Sequence, residues 1–221
     1  ADDPIITTSI HAPGYTGDAI PLTVQDDPDP ASLLINEVYY APDEDANGDG
    51  TVSSGDEFIE IVNVGATPFD LSFCSIIEEG FDFNIRGAVH IFPSGTILAP
   101  GSAIVVFGGG AIPDGSTTDF GTAEIQKASL GGLSLTDSGD NVRLRNSFDQ
   151  ELYAVTLPDS GTVGGSGSLT LSPDLSTAGG YTLHPANPPV GNFSPGTEVD
   201  GTPFNTIVAS LTLTANTVNI P

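Results

Sequence analysis

Leu33-Leu-Ile-Asn-Glu-Val-Tyr-Tyr40 and Glu57-Phe-Ile-Glu-Ile-Val-Asn-Val64 are two short apolar runs, and between them lies Asp45-Ala-Asn-Gly-Asp-Gly-Thr-Val-Ser-Ser-Gly-Asp56, an acidic stretch with the composition of a calcium loop. In the second run Phe58, Ile59, Ile61 and Val62 are apolar while Glu57, Glu60 and Asn63 are polar. That mixture suits a strand covered on both faces at some positions. The two runs are therefore expected to form a hairpin or neighbouring strands, with the acidic loop as their connection.

Outward from this pair, similar runs recur at Ile5–Ile10, Ala19–Val24, Cys74–Ile77, Ala88–Phe92, Ala103–Phe107, Leu133–Leu135, Asn141–Leu144 and Leu152–Leu157. Gly, Pro, Asp and Asn separate them, and turns such as Pro93-Ser-Gly, Ala99-Pro-Gly-Ser and Asp137-Ser-Gly-Asp mark strand ends, since Pro fixes φ and Gly supplies positive φ. Short strands at this spacing predict an all-β chain, an antiparallel β-sandwich of two sheets. Residues 1–31 read as a strand-bearing extension or linker ending in the acidic, proline-bearing Gln25-Asp-Asp-Pro-Asp-Pro30. Residues 32–203 read as the sandwich, and 204–221 as a last strand or linker containing Ile207–Thr214. The charge-poor segment 158–200 is expected to be largely loop, with one strand near Ser168–Leu171.

Lys plus Arg number 4 against 29 Asp plus Glu, a formal charge of −25. Such a charge repels nucleic-acid phosphates and anionic headgroups, so no nucleic-acid partner is expected, and divalent cations would relieve the self-repulsion. No run is long enough to span a bilayer, so direct membrane insertion is not expected. The one cysteine, Cys74, excludes an intramolecular disulfide and sits in an apolar strand-like run, where an inert buried thiol is expected. The chain starts at Ala1 without an initiator Met and reads as a processed or excised piece of an exported product.

Counted as a twelve-residue loop, the acidic stretch places Asp45, Asn47 and Asp49 at positions one, three and five, Gly50 at six, Thr51 at seven, Ser53 at nine and Asp56 at twelve. Every donor is oxygen, as a hard cation requires. Alternating spacing lets three side chains converge, Thr51 offers its carbonyl, and Gly50 is expected to take a backbone angle that residues with a Cβ avoid. Calcium is the expected ion, and Asp43 or Glu57 could assist the short Asp56. The loop resembles the dockerin version of the EF-hand loop, which also carries Asp at its last position. Because its flanks are strands, calcium is expected to rigidify the connection and operate no switch.

The ordered set Leu34-Ile-Asn-Glu-Val38, Asp56-Glu-Phe-Ile-Glu-Ile-Val-Asn63, Phe69-Asp-Leu-Ser72, Phe92-Pro-Ser-Gly-Thr-Ile-Leu-Ala-Pro-Gly-Ser-Ala-Ile-Val-Val106, Leu133-Ser-Leu-Thr-Asp-Ser-Gly-Asp-Asn-Val-Arg-Leu144, Gly167-Ser-Leu and Ser194-Pro-Gly196 resembles the lamin tail domain of bacterial exported proteins. The resemblance implies an immunoglobulin-like β-sandwich that serves as a scaffold or interaction module and has no shared catalytic centre. One departure is Leu71-Ser-Phe-Cys74 where the family has Leu-Ser-Gly-Trp, so Phe73 and Cys74 are expected to fill the tryptophan's volume.

Catalytic readings are weak. His11, His90 and His184 are scattered, Gly164-Gly-Ser-Gly-Ser168 lacks the Gly-x-Ser-x-Gly pattern, and Gly108-Gly-Gly110 lacks a phosphate loop's Lys and helix and reads as a flexible turn. Glu78 and Glu79 are adjacent in a strand and point to opposite faces, which disfavours a glycosidase pair. Asn192-Phe-Ser194 matches a glycosylation acceptor. The expectation is a non-catalytic, extracellular or cell-surface structural, adhesive or protein-interaction module stabilised by calcium. Its alternative is a ligand-recognition domain, for example carbohydrate-binding, beside a secreted hydrolase or nuclease. Clustered exposed Tyr or Phe would favour that alternative; the absence of Trp speaks against it.

Overall fold

In the computed structural model the two diagnostic runs become β3 (Leu33–Tyr39) and β4 (Phe58–Asn63), paired antiparallel from Leu33↔Asn63 to Tyr39↔Phe58. The structure describes residues 33–79, 87–111, 120–163, 166–186 and 191–204, together with the backbone of β1 (Ile6–Ser9) and β2 (Pro21–Val24), an antiparallel hairpin. The expected strand Ile207–Thr214 and the linker Gln25–Pro30 lie outside the described residues.

The remaining described strands are β5 (Phe69–Asp70), β6 (Ser75–Glu78), β7 (Gly87–Ile91), β8 (Ile97–Leu98), β9 (Ala103–Phe107), β10 (Glu124–Lys127), β11 (Asp140–Arg145), β12 (Glu151–Leu157), β13 (Leu169–Leu171) and β14 (Tyr181–Leu183). The larger sheet has six strands in the order β10-β9-β4-β3-β13-β14, and the smaller has four in the order β12-β11-β6-β7; β5 and β8 form a short ribbon. This is the all-β, immunoglobulin-like sandwich expected. One pairing among the described strands is parallel, β9 with β10.

Alternation sets the layers. Leu33, Ile35, Ile59, Ile61, Ile104 and Val106 face Ile76, Val142, Leu144, Val155 and Leu157 across the sandwich core, all buried. The opposite face of the larger sheet is covered too: Tyr39, Phe58, Val105, Phe107 and Phe120 form a second buried cluster against which Phe193 packs. That second cover explains why β4 is buried along its whole length and carries no simple polar alternation. A bulge between Ile35 and Glu37 lets Val38 resume facing the core while Glu37 and Tyr39 share the outer face.

Three expectations are corrected. Leu133 and Leu135 are buried but form no strand: Ser134 between them is exposed with φ +58°, off the strand region, and the segment reaches Glu57 instead. Phe73 does not fill the missing tryptophan's volume; a turn closed by Cys74 N–H to Leu71 O puts Phe73 at φ +62° and leaves it 59 % exposed. Cys74, Leu71, Phe92 and Leu98 occupy the core there, and burial raises the Cys74 thiol, so it is inert as expected. Segment 166–204 is more than loop: β13 and β14 extend the larger sheet beside β3.

Candidate metal-binding site

The acidic loop leaves the end of β3 and returns as a short 3₁₀ turn, Ser54–Asp56, into β4. Its first half winds around its own carboxylates. Asp45 accepts the backbone N–H groups of Gly48 (2.8 Å), Asp49 (3.1 Å) and Gly50 (2.7 Å). Asn47 Oδ1 accepts Asp49 N–H at 2.9 Å, and Asp49 Oδ1 accepts Thr51 N–H at 2.9 Å. Gly48 and Gly50 supply φ +74° and +88°, the left-handed angles this winding requires.

Asp56 clasps the loop shut: fully buried, it accepts Asn47 N–H at 3.0 Å through one oxygen and Ser53 N–H at 2.8 Å through the other. Ser53 caps the 3₁₀ turn by accepting Gly55 N–H, and Thr51 is exposed. Asp43 is tied to the base of the loop, its carboxylate accepting the Tyr39 hydroxyl at 2.8 Å. Glu57 turns away: 4 % exposed, it accepts Leu135 N–H at 3.2 Å, and burial raises its carboxyl to about 7.

The structure thus gathers Asp45, Asn47, Asp49, Ser53 and Asp56 in one compact turn and leaves Glu57 outside it. Among the described residues no three His, Cys, Asp or Glu side chains converge as a ready-made metal centre. The donor chemistry nonetheless fits a hard cation: three carboxylates and an amide oxygen are held by neutral N–H groups alone, and the ion pairs of Arg143 and Arg145 lie on the other sheet.

A wall of this site escaped the sequence reading. Gly108-Gly-Gly110 is no free turn: Gly108 N–H donates to Glu57 O (2.7 Å), Gly109 N–H to Gly55 O (3.1 Å), and Ala111 N–H to Asp49 Oδ2 (3.1 Å). Asn47 Nδ2 donates to Gly109 O at 3.4 Å. A methyl on Gly108 would lie 2.3 Å from Ser54 O, and one on Gly110 2.5 Å from both Asn47 Nδ2 and Asp49 Oδ2. Three glycines together are the signal for such backbone approach, legible only once the two loops are known to meet.

A second polar group lies on the outer face of the larger sheet, away from the loop. Glu37 and Glu60 are Cα partners on β3 and β4 and both are fully buried. Glu37 Oε1 accepts the Ser168 hydroxyl and Ser194 N–H (2.9 Å); Glu60 accepts Asn36 Nδ2 (3.0 Å) and Gly196 N–H. Ser194 Oγ stands 2.9 Å from Glu37 Oε2 and 2.9 Å from His184 Nε2, while His184 Nδ1 meets Pro185 O at 2.9 Å. Burial raises Glu37 to about 7, holds Glu60 well above the usual carboxylate range, and lowers His184. A serine beside a histidine is the geometry of a nucleophile and its base, but Ser194 and His184 are each 2 % exposed and Glu37 seals the far side. His90 is likewise buried, with Nε2 3.0 Å from Gln126 Oε1, and Glu79 pairs with Arg143.

No curated protein matches the chain. The family model of the lamin tail domain matches residues 27–159, which include β3 through β12, the acidic loop and the glycine turn against it. By that match and by its two-sheet immunoglobulin-like sandwich, the chain belongs to the lamin tail domain family, a non-enzymatic interaction fold.

Proposed function

We propose that this chain is a non-catalytic, calcium-stabilised module of an exported protein, acting outside the cell as a structural, adhesive or protein-interaction unit. The observation that carries the reading is the closed acidic loop between the two central strands, backed by a glycine turn in which Gly108 and Gly110 have no room for a side chain. Asp45, Asn47 and Asp49 side chains, the Thr51 carbonyl and Asp56 would hold the ion, with Ser53 at the position that commonly ligates through water. Calcium supplies positive charge among three clustered carboxylates; the chain's own part is to pre-wind the loop. Extracellular modules bind calcium at about 10⁻⁴–10⁻³ M, so a loop of this kind would be filled in an exterior medium. The formal charge of −25 fits the same setting and disfavours nucleic-acid partners.

A second reading, ligand recognition beside a secreted hydrolase, draws on Phe73 and Phe148, which are 59 % and 83 % exposed. Two exposed rings give it less support than the loop gives the first.

Calcium titration tests the proposal. Saturating calcium is expected to raise the melting temperature and to protect the loop from protease, and Asp56→Ala to lose both responses. Unchanged melting and unchanged cleavage in the wild type would refute calcium stabilisation.

A further inference from the structure

The contacts of Ser194 carry a proton count. His184 Nδ1 faces the Pro185 carbonyl, which can only accept, so Nδ1 bears a hydrogen. A neutral His184 then offers a bare Nε2, and an ionised Glu37 a bare Oε2. Between these two acceptors sits one hydroxyl with one hydrogen, 2.9 Å from each. Both contacts are satisfied only if the chain holds an additional proton, on Glu37 or on His184. Burial opposes charge on both groups, which assigns the proton to Glu37: the acid donates to Ser194, and Ser194 donates to His184.

The surroundings reinforce that assignment. On β4 Glu60 faces Glu37, and beyond β13 Asp174 adds negative charge; Ser168 just before β13 and Thr170 within it are neutral, and Glu198 on the final segment lies near Asp174 and Asp200. Arg143 and Arg145 are engaged with Glu79, Glu151 and Asp149 on the smaller sheet. Losing the proton would leave two acceptors competing for one hydrogen and place a buried negative charge beside Glu60.

We propose that the Glu37–Ser194–His184 chain is a proton-operated latch that fastens residues 191–197 over the outer face of β3 when protonated and releases them when deprotonated. What the latch covers is apolar. Phe193 lies against Tyr39 and Phe58, with ring centroids 5.2 and 6.5 Å apart, so release uncovers an aromatic surface on the central strands. The same segment holds Gly196 N–H on Glu60 and Asn192 Nδ2 on Glu44, and both contacts are lost with it. This device is independent of calcium and of the loop's reading.

Amide hydrogen exchange on the whole chain at fixed calcium, corrected for the intrinsic pH dependence of exchange, tests it. Protection of peptides covering residues 191–204 is expected to fall by about tenfold per pH unit above the midpoint of the latch, while peptides of β6 and β11 keep theirs. Glu37→Gln should abolish the step, because the amide Nε2 donates to Ser194 as the neutral acid does while its oxygen still accepts from Ser168. Protection independent of pH in the wild type, or the same step in Glu37→Gln, would overturn the latch. Should that variant not fold, the Glu37 side-chain carboxyl signal, followed by NMR in the wild type, decides: titration in the ordinary carboxylate range overturns it.

Discussion

Gly110→Ala probes whether the glycine turn and the acidic loop form one site. Gly110 has φ +80°, an angle that disfavours any residue with a Cβ by about 1–2 kcal/mol. The added methyl would sit 2.5 Å from Asn47 Nδ2 and 2.5 Å from Asp49 Oδ2. Ordinary contact needs about 3.5 Å, so both side chains must retreat by about 1 Å, at a further cost of about 1–3 kcal/mol. Gly95→Ala is the control, with φ +88° and open space around the new methyl. Melting temperature moves by about 2–4 °C per kcal/mol in a chain of this size. Gly95→Ala should therefore fall by about 2–8 °C with or without calcium, and Gly110→Ala further. Calcium at a hundred times its dissociation constant adds about 2.7 kcal/mol. The wild type and Gly95→Ala should show that gain as a rise of about 5–11 °C over chelator, and Gly110→Ala should lose most of it. A full calcium response in Gly110→Ala would show that Asn47 and Asp49 are not ligands.

Two further outcomes follow from buried charge. Glu37, raised to about 7 from an unfolded value of 4.5, contributes stability that is fully present below pH 4.5 and lost as pH rises through about 7, so the urea midpoint in chelator should fall across that window, by up to about 3 kcal/mol from this group; a midpoint that rises with pH would refute it. Arg143→Met strips Glu79, which is 4 % exposed, of its Nε partner at 2.5 Å and should lower stability by about 1–3 kcal/mol, recovered when Glu79→Gln is added; an unchanged denaturation midpoint in the single variant would count against the pair.

The sandwich was legible because burial on the core side imposes a period of two that Ile59, Ile61, Ile104 and Val106 cannot hide. The loop was legible as a strand-to-strand connection because Asp, Asn, Ser and Gly crowd between two apolar runs. What stayed hidden was long-range. Nothing local marks Glu124–Lys127 as a strand, since it exists by parallel pairing to β9. Tyr181–Leu183 is likewise too short to carry a pattern and is defined by β13. Nothing local shows what covers Glu37 and Glu60, which lie under residues 191–204. The Ser194–His184 contact joins positions whose sequence spacing matches no motif.

The pairing of β13 with β3 sets the smallest portable unit. The family match ends at residue 159, yet a chain cut there would strip β3 of its neighbour and leave Leu33–Tyr39 as an uncapped rim of the sheet, apolar and hungry for another strand. Two carboxylates now lodged under Ser194 and Gly196 would meet water beside that rim. Grafting this domain into another polypeptide therefore demands that residues 166–204 travel with it, as a built-in guard against fibre formation.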